Sequence, residues 1–306
     1  MRPRWKFFSG LVIVGLMTGA AGCGSSHAGP DDESLSFIVT ADMRNFAGGD
    51  YHSPQYFLGA CRAIRKVGAG AFMISPGDLD PPEPIRGTID KALGEDYLWY
   101  PVVGNHDTES DANMEWLRDW ARQGIPHLVR QGPPNGEETI YSFDFGEAHC
   151  IVLNLYYTGE TDANPDGDVC DLLYDWLVND LEQTSKPFVF VFGHEPIAPI
   201  ADADNGRSRH VGESLDEHPE NAHRLRALLT DHGVAAYICG HTHNFSFAKL
   251  NGLWQIDAGH ARGLGDPGAP STFLKVTLRD GACSIEVFRD DGQGGPYTLS
   301  RTITLD

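Results

Sequence analysis

Residues 97–107 read YLWYPVVGNHD and decide the architecture. An aromatic and β-branched run ends at Gly104 and is followed at once by Asn105, His106 and Asp107. Such a run predicts a buried strand, and the glycine marks the point where the chain turns away from the sheet. The sequence therefore places three chemically active side chains at the carboxyl end of a strand.

Four other segments repeat this layout, with a short apolar run followed by polar residues. The runs are predicted strands at 35–40, 71–75, 187–192 and 235–239. They lead into Asp42-Met43-Arg44, Gly77-Asp78-Leu79-Asp80, Gly193-His194-Glu195 and Gly240-His241-Thr242-His243. In layered α/β folds, ligands bind beyond the carboxyl ends of the strands, so we expect the five segments to face one crevice.

Helices with apolar spacing alternate with these strands over the first two thirds of the chain. They are predicted at 56–67, 113–122, 171–181 and 221–229. Two further strands are predicted at 139–145 and 149–155, and short strands with Asn-Gly and Asp-Gly turns dominate after Phe245. The pattern indicates an α/β (α+β) domain over 35–306, with central sheets flanked by helices. The polar stretches 81–87, 158–168 and 200–220 are predicted to be functional loops.

The side chains of the five segments are carboxylates, imidazoles and one amide. That mixture suits a pair of borderline divalent ions such as zinc, iron or manganese. Since no cysteine lies among the polar residues that follow the five strands, a structural zinc site is disfavoured.

In the order of these blocks, the sequence closely resembles the calcineurin-like metallophosphoesterase superfamily over residues 35 to about 263. The resemblance implies a four-layer sandwich with two central β-sheets and two metal ions at the strand ends. It implies that Asp78 bridges the ions, that His106 faces the substrate phosphate, and that the remaining ligands divide between a first ion (Asp42, His243) and a second ion (Asn105, His194, His241).

These roles are also chemically reasonable for the hydrolysis of a phosphomonoester or phosphodiester. Two metal ions that share a hydroxide supply a nucleophile at neutral pH and neutralise charge on the phosphoryl oxygens. His106 is suited to stabilise the transition state or to protonate the leaving oxygen, and Asp107 is expected to orient its imidazole.

Arg44 departs from the family pattern, which usually has Asp-x-His in the first block. A guanidinium has no lone pair to donate, so Arg44 cannot replace an imidazole ligand. Three interpretations remain: a weaker or solvent-completed first metal site, a one-metal enzyme, or a site in which Arg44 binds a substrate phosphate bidentately. We favour an open first site with Arg44 as a catalytic and substrate-binding residue; the alternative is a salt bridge to a loop carboxylate.

Two histidines outside the blocks are weaker candidates for substrate contact. His210 lies in the loop after the fourth block, and His260 follows the last of the five by 17 residues. Both are predicted to reach the substrate from the rim of the site. The alternatives are a solvated loop histidine for His210 and a hydrogen-bonded core histidine for His260.

The first 22 residues have the layout of a secretory signal, with a basic start, a short apolar run and small residues before Cys23. The segment resembles a bacterial lipoprotein signal, which implies a lipid on Cys23, a flexible tether over 23–34 and a location in the cell envelope. An ordinary cleaved signal is the alternative. The five cysteines beyond Cys23 form no recognisable metal or redox motif; one or two disulfides and buried free thiols are both compatible with the sequence, and no pairing is predicted.

The net charge of the chain is −20, with 23 basic and 43 acidic residues. A duplex nucleic acid would be repelled, so such a partner is excluded.

The sequence thus predicts an envelope-anchored phosphoesterase that acts on a phosphate ester. A degenerate metal-binding or scaffolding lipoprotein without turnover is the alternative, and neither the substrate nor the oligomeric state is predicted.

The anchor can be tested with Cys23→Ser in the producing bacterium. The variant should lack lipid and stay unprocessed or be released, because serine has no thiol for lipidation. Detergent partitioning and intact mass would show this. Unchanged processing to a mature form would indicate an ordinary signal peptide.

Overall fold

The computed structural model describes residues 34–44, 53–266 and 268–306. The predicted signal 1–22 and Cys23 lie outside the described residues, as does the tether 23–34 except for Ser34. The strands are β1 (Leu35–Val39), β2 (Phe72–Pro76), β3 (Leu98–Val102), β4 (Leu128–Gln131), β5 (Tyr141–Phe145), β6 (Ala148–Val152), β7 (Phe188–Phe192), β8 (Ala236–Cys239), β9 (Phe245–Leu250), β10 (Leu253–Ala258), β11 (Thr272–Arg279), β12 (Ala282–Arg289) and β13 (Thr298–Leu305). The helices are α1 (Phe57–Val67), α2 (Pro82–Leu93), α3 (Asn105–Thr108), α4 (Asp111–Arg122), α5 (Asp171–Leu181) and α6 (Pro219–Asp231), with a 3-10 turn at Leu215–Glu217.

The strands form two mixed sheets. The first has the order β13-β12-β11-β1-β2-β3, in which β1, β2 and β3 are parallel and β11 runs antiparallel to β1. The second has the order β4-β5-β6-β7-β8-β10-β9, in which β6, β7, β8 and β10 are parallel. The predicted C-terminal strands thus complete the first sheet with β11 to β13 and the second with β9 and β10.

The two sheets pack face to face through a core rich in aromatic residues. Phe37 of β1 stacks on Phe72 of β2 with ring centroids 4.8 Å apart, and Phe190 of β7 meets Phe37 edge-on at 5.5 Å. Since successive strand residues point to opposite faces, Ile38 faces outward and packs with α1, α2 and α4. Helices α5 and α6 cover the outer face of the second sheet. These layers confirm the predicted four-layer sandwich.

One predicted loop is wrong. Residues 81–87 are not irregular, because α2 begins at Pro82 and buries Ile85 and Ile89 against the first sheet. Proline suits the first helical turn, where its missing N–H has no partner to lose. Residues 158–168 contain no helix or strand, whereas the stretch 200–220 ends in the 3-10 turn and the first residues of α6.

The five described cysteines are free, and four of them are buried. In the part of the chain that the structure describes, no helix is long and apolar enough to cross a membrane.

Truncating a side chain in the inter-sheet core should destabilise the protein far more than truncating an exposed one. Phe37→Ala should lower the free energy of unfolding by about 3–5 kcal/mol, because the ring is completely buried between the sheets. Leu299→Ala, at a side chain that is 51% exposed, should change it by less than about 0.5 kcal/mol. Urea unfolding of both variants measures this; equal losses would contradict the assigned core.

Candidate active site

The predicted metal ligands meet at the carboxyl ends of β1, β2, β3, β7 and β8. The backbone N–H of His241 donates to Asp42 Oδ2 at 2.9 Å. His194 Nε2 lies 3.1 Å from Asn105 Oδ1 and 3.3 Å from Asp78 Oδ1. His243 Nε2 completes the group at 3.5 Å from Asp42 Oδ1. His241 Nδ1 lies 3.3 Å from His194 Nε2, so the six side chains share one cluster, in which Asn105 is half-buried and the other five are buried.

Glycines beside these residues allow the strand ends to approach so closely. A Cβ on Gly104 would lie 2.2 Å from the Asp78 backbone nitrogen, and a Cβ on Gly240 would lie 2.4 Å from Asp42 Oδ2. No side chain fits at such distances. These positions thus require glycine for steric reasons, which become visible only when the segments are brought together.

Four of the clustered residues have backbone conformations that side chains seldom adopt. Their φ angles are positive, at 52° for Asp42, 55° for Asp78, 72° for His241 and 59° for His243. Positive φ outside glycine is uncommon, and such conformations concentrate at functional sites, where the surrounding structure holds them. Here the strand ends impose the turn that directs each side chain inward.

Hydrogen bonds from outside the cluster orient the three imidazoles. His194 donates from Nδ1 to the carbonyl oxygen of Pro76 at 2.8 Å, which directs Nε2 to Asp78. His241 donates from Nε2 to the carbonyl oxygen of Glu213 at 2.9 Å, so that Nδ1 faces the cluster. His243 Nδ1 lies 2.6 Å from Asp266 Oδ2, and its Nε2 faces Asp42. One nitrogen of each ring is thereby held in place to bind a metal ion.

The electrostatics of the two buried carboxylates favour a bound cation. Burial and the charge of Asp78 raise the pKa of Asp42 well above its usual value. Burial opposes ionisation of Asp78 as well, but His194 and His106 hold its pKa below the usual value. Asp42 Oδ1 is buried without a hydrogen-bond partner among the described residues. A cation between these carboxylates would reduce their repulsion and would give Asp42 Oδ1 a partner.

The donor set agrees with a divalent metal. Asp42, Asp78 and His194 each offer a ligand atom, and these atoms lie within 4.8 Å of one another. Burial lowers the pKa of His194 and lowers that of His241 to about 3, so both rings are neutral, as metal ligation requires. The residues present therefore fit the metal ions that the sequence analysis expects.

His106 lies at the edge of this cluster, but Asp107 does not orient it. The carboxylate of Asp107 accepts hydrogen bonds from the backbone amides of Leu79 and Gly104, at 2.9 and 2.8 Å. His106 Nδ1 instead lies 2.7 Å from Glu109 Oε1, one helical turn further on. The expected contact between Asp107 and the imidazole is thus wrong, because the buried carboxylate fixes the two backbone segments that carry Asp78 and Asn105.

His106 itself lies at the partly exposed edge of the cluster, and its contact with substrate stays a prediction. Its Nε2 lies 3.9 Å from Asp78 Oδ2, and its side chain is 29% exposed. The backbone N–H of His106 donates to Asp78 Oδ1 at 3.1 Å. The ring therefore combines contact with solvent and closeness to the metal-binding carboxylate.

Arg44 lies beside the cluster and forms ion pairs. Its Nη2 is 3.2 Å from Asp80 Oδ2 and 3.9 Å from Glu109 Oε2, and its side chain is 12% exposed. Its backbone N–H donates to the carbonyl oxygen of Asp78 at 3.0 Å. The structure thus contains the salt bridge of the alternative interpretation, while a contact with substrate phosphate stays a prediction.

The two weaker histidine candidates have different positions. The His210 ring lies 4.3 Å from the His241 ring, and its Nδ1 is 3.0 Å from Glu213 Oε2, so His210 borders the site. His260 is completely buried and its Nε2–H donates to the carbonyl oxygen of Ala269 at 3.0 Å. The predicted rim position of His260 is therefore wrong: the residue is a hydrogen-bonded core histidine behind His243.

Several residues of the site are absent from the sequence-based candidates. They are Glu109, Glu213, Arg209 and Asp266, together with Glu195, whose pKa burial raises to about 7 and whose Oε1 accepts a hydrogen bond from Tyr156. Two of them have a local signal: Glu109 lies three residues after His106, and Glu195 directly follows His194 in the fourth block. Glu213, Arg209 and Asp266 reach the site through the folding of loops.

Comparison with known protein families agrees with this geometry. The model of the calcineurin-like phosphoesterase family matches residues 35–245, and the chain belongs to that family. The protein is accordingly a hydrolase of phosphoric esters. Over 313 aligned residues it is 24% identical to tartrate-resistant acid phosphatase type 5 of Mus musculus, with 95% of this chain and 89% of the relative covered. The Homo sapiens protein of that name is 22% identical, with 81% and 78% covered.

Solved structures show the same fold. They include PhoD, with a TM-score of 0.57, 12% identity and coverage of 89% of this chain and 70% of the other. GAP50, described as the anchor in the inner membrane complex of Plasmodium, has a TM-score of 0.56 and 17% identity, with 89% of both chains covered. A putative 5'-nucleotidase of Staphylococcus aureus has a TM-score of 0.51 and 15% identity, with 89% and 54% covered.

Asn105 and His106 are adjacent but should respond differently to truncation. Asn105→Ala should lower metal occupancy, because its Oδ1 points to His194 Nε2 in the cluster. His106→Ala should retain the metal and reduce turnover by about 10²-fold or more, as is typical when a general acid is lost. Titration calorimetry with metal and kinetics on the same preparations separate the two. Loss of metal from the His106 variant would refute this division of roles.

Proposed function

We propose that this protein is a metal-dependent phosphoesterase that hydrolyses a phosphomonoester. The observation that carries the proposal is the buried contact between Asp42, Asp78 and His194, with Asp42 Oδ1 lacking a hydrogen-bond partner among the described residues. Uncompensated carboxylates of this kind are stabilised by a cation. The names of the acid phosphatase relatives support a monoester substrate, and a phosphodiester remains the second possibility.

Two divalent ions are proposed, with manganese, zinc or iron as candidates. Asp78 would be shared, Asp42 and His243 would hold one ion, and Asn105, His194 and His241 would hold the other. When bound, such ions supply a nucleophile at neutral pH and neutralise phosphoryl charge. The six oxygen and nitrogen donors favour these ions over calcium or magnesium, which prefer oxygen ligands alone.

The residues around the cluster have separate tasks in hydrolysis. His106 donates a proton from Nε2 to the leaving oxygen, and its contact with Glu109 holds the ring in the required orientation. Asp107 keeps Leu79 and Gly104 together, and so keeps Asp78 and Asn105 in register. His210 contributes a polar group beside His241 at the entrance. The roles of His106, Asp107 and His210 are each inferred from the contact that holds the residue in place.

We also propose that the protein is held in the bacterial envelope by a lipid on Cys23. This part of the proposal rests on the basic, apolar and small-residue pattern of residues 1–23 alone. A tether of about ten residues would separate the lipid from the domain. The strongly negative chain would be repelled by anionic head groups, which favours a position clear of the membrane surface.

A scaffolding protein without turnover is the second candidate. Two observations favour it: Arg44 stands where the family usually has an imidazole ligand, and one neighbour of the same fold is described as an anchor. The other six ligand positions of the resemblance are intact in this chain, and all six lie in one cluster. That completeness favours the enzyme.

Metal reconstitution distinguishes the candidates. The chelator-treated protein should hydrolyse p-nitrophenyl phosphate only after manganese, zinc or iron is restored, and elemental analysis should give close to two ions per chain. Asp78→Asn should lose both metal and activity, since the amide removes the charge shared by the ions. Asp171→Asn, at an exposed ion pair with Arg224, should retain both.

One ion per chain would favour a one-metal enzyme. No turnover of p-nitrophenyl phosphate or bis(p-nitrophenyl) phosphate by the fully loaded protein would refute the proposed hydrolysis and support the scaffold.

A further inference from the structure

Three arginines converge on one carboxylate at the edge of the metal-ligand cluster. Asp266 accepts from Arg207 Nη2 at 3.0 Å and lies 3.3 Å from Arg209 Nη1 and 3.7 Å from Arg262 Nη2. The same carboxylate contacts His243 Nδ1. A guanidinium cluster therefore lies directly behind one of the predicted metal ligands.

This cluster has more positive than negative charge. Three guanidinium groups share Asp266, so these four side chains together have two more positive than negative charges. The chain as a whole has a net charge of −20, so a local excess of arginine is the opposite of its average composition. A cluster of positively charged side chains raises the local concentration of anionic ligands.

Of the three arginines, Arg209 is the one that can reach an external anion. Arg207 is bound to both Asp266 and Asn244, and Arg262 is only 3% exposed. The Arg209 side chain is 30% exposed, and within the described ranges its ion pair and hydrogen bond with Asp266 use Nη1 alone. The remaining Nε–H and Nη2–H form the planar edge with which arginine binds phosphate bidentately.

Arg209 is also close to the reacting centre. Its Nη1 contacts His243 Nδ1, and the next residue, His210, packs on the ring of His241. The loop thus brings the Arg209 guanidinium next to His243, one of the two residues predicted to hold the first ion. Asp266 fixes the Nη1 end of that guanidinium. An anion bound there would lie beside a phosphoryl group held at the predicted metal site.

We propose that Arg209, positioned by Asp266, binds a second anionic phosphate of the substrate and so selects phosphoanhydrides, such as inorganic pyrophosphate or a nucleoside diphosphate, over simple monoesters. This inference rests on the proposed function. In the reaction, the oxygen of water bonds to the terminal phosphorus and the bond from that phosphorus to the bridging oxygen breaks. The bridging oxygen keeps the electron pair and takes one proton, so water supplies both the new P–O bond and that proton. Arg209 stabilises the charge on the departing phosphate.

The experiment compares Arg209→Ala with the wild type on two substrates, after metal content has been equalised by elemental analysis. The ratio of kcat/KM for pyrophosphate to kcat/KM for p-nitrophenyl phosphate should fall by about 30-fold or more, because only pyrophosphate has a second phosphate that reaches the guanidinium. Arg209→Lys should recover part of the loss, since lysine retains the charge without the planar fork. Arg224→Ala, at an exposed ion pair remote from these contacts, serves as the matched control and should match the wild type.

A binding measurement without turnover tests the subsite separately. Methylenediphosphonate should bind the wild type at least about tenfold more tightly than methylphosphonate in titration calorimetry, and Arg209→Ala should abolish the difference. Equal losses on both substrates, or an unchanged preference for methylenediphosphonate in Arg209→Ala, would overturn the second subsite. If the loaded wild type hydrolyses neither substrate, the proposed function fails, and the calorimetry still decides whether Arg209 binds the second anion.

Discussion

The structure depends on the close approach of two buried carboxylates, Asp42 and Asp78, at the ends of adjacent parallel strands. Like charges removed from water repel each other, so this arrangement is stable only with a cation or a proton between them. Gly104 and Gly240 lack the side chains that would hold these strand ends apart. The strained backbone of Asp42 and Asp78 is tolerated because both sheets fix their position.

The histidine ligands depend in turn on contacts that come from outside the strand ends. Pro76, Glu213 and Asp266 each accept a hydrogen bond from one imidazole and so determine which ring nitrogen faces the carboxylates. Two of these acceptors lie in the loops that also carry Arg209 and Arg262. The loops that orient these imidazoles therefore also hold the arginine that we propose to bind a substrate anion.

Local patterns predicted most of the fold, and the errors have identifiable causes. Strands such as β3 and β7 are continuous apolar runs, and α5 has regular apolar spacing, so each was recognisable in isolation. The start of α2 is predicted as a loop because the stretch 81–87 is polar and irregular, although proline fits a first helical turn. The edge strand β4 has mostly exposed residues and no apolar alternation, so pairing with β5 alone defines it.

The sequence by itself determined most of the strands, through apolar runs, and the family, through the order of its motifs; the resemblance to that family then implied which six residues meet at the strand ends. Only the tertiary structure decided the surroundings of those residues. It placed Asp107 on two backbone amides instead of on His106, buried His260 in the core, paired Arg44 with Asp80 and brought Arg209 to His243. Those contacts join segments that are separated by up to tens of residues along the chain, and no local pattern records them. Their positions follow from how loops fold over the strand ends, where packing and charge pairing act only once the sheets have formed.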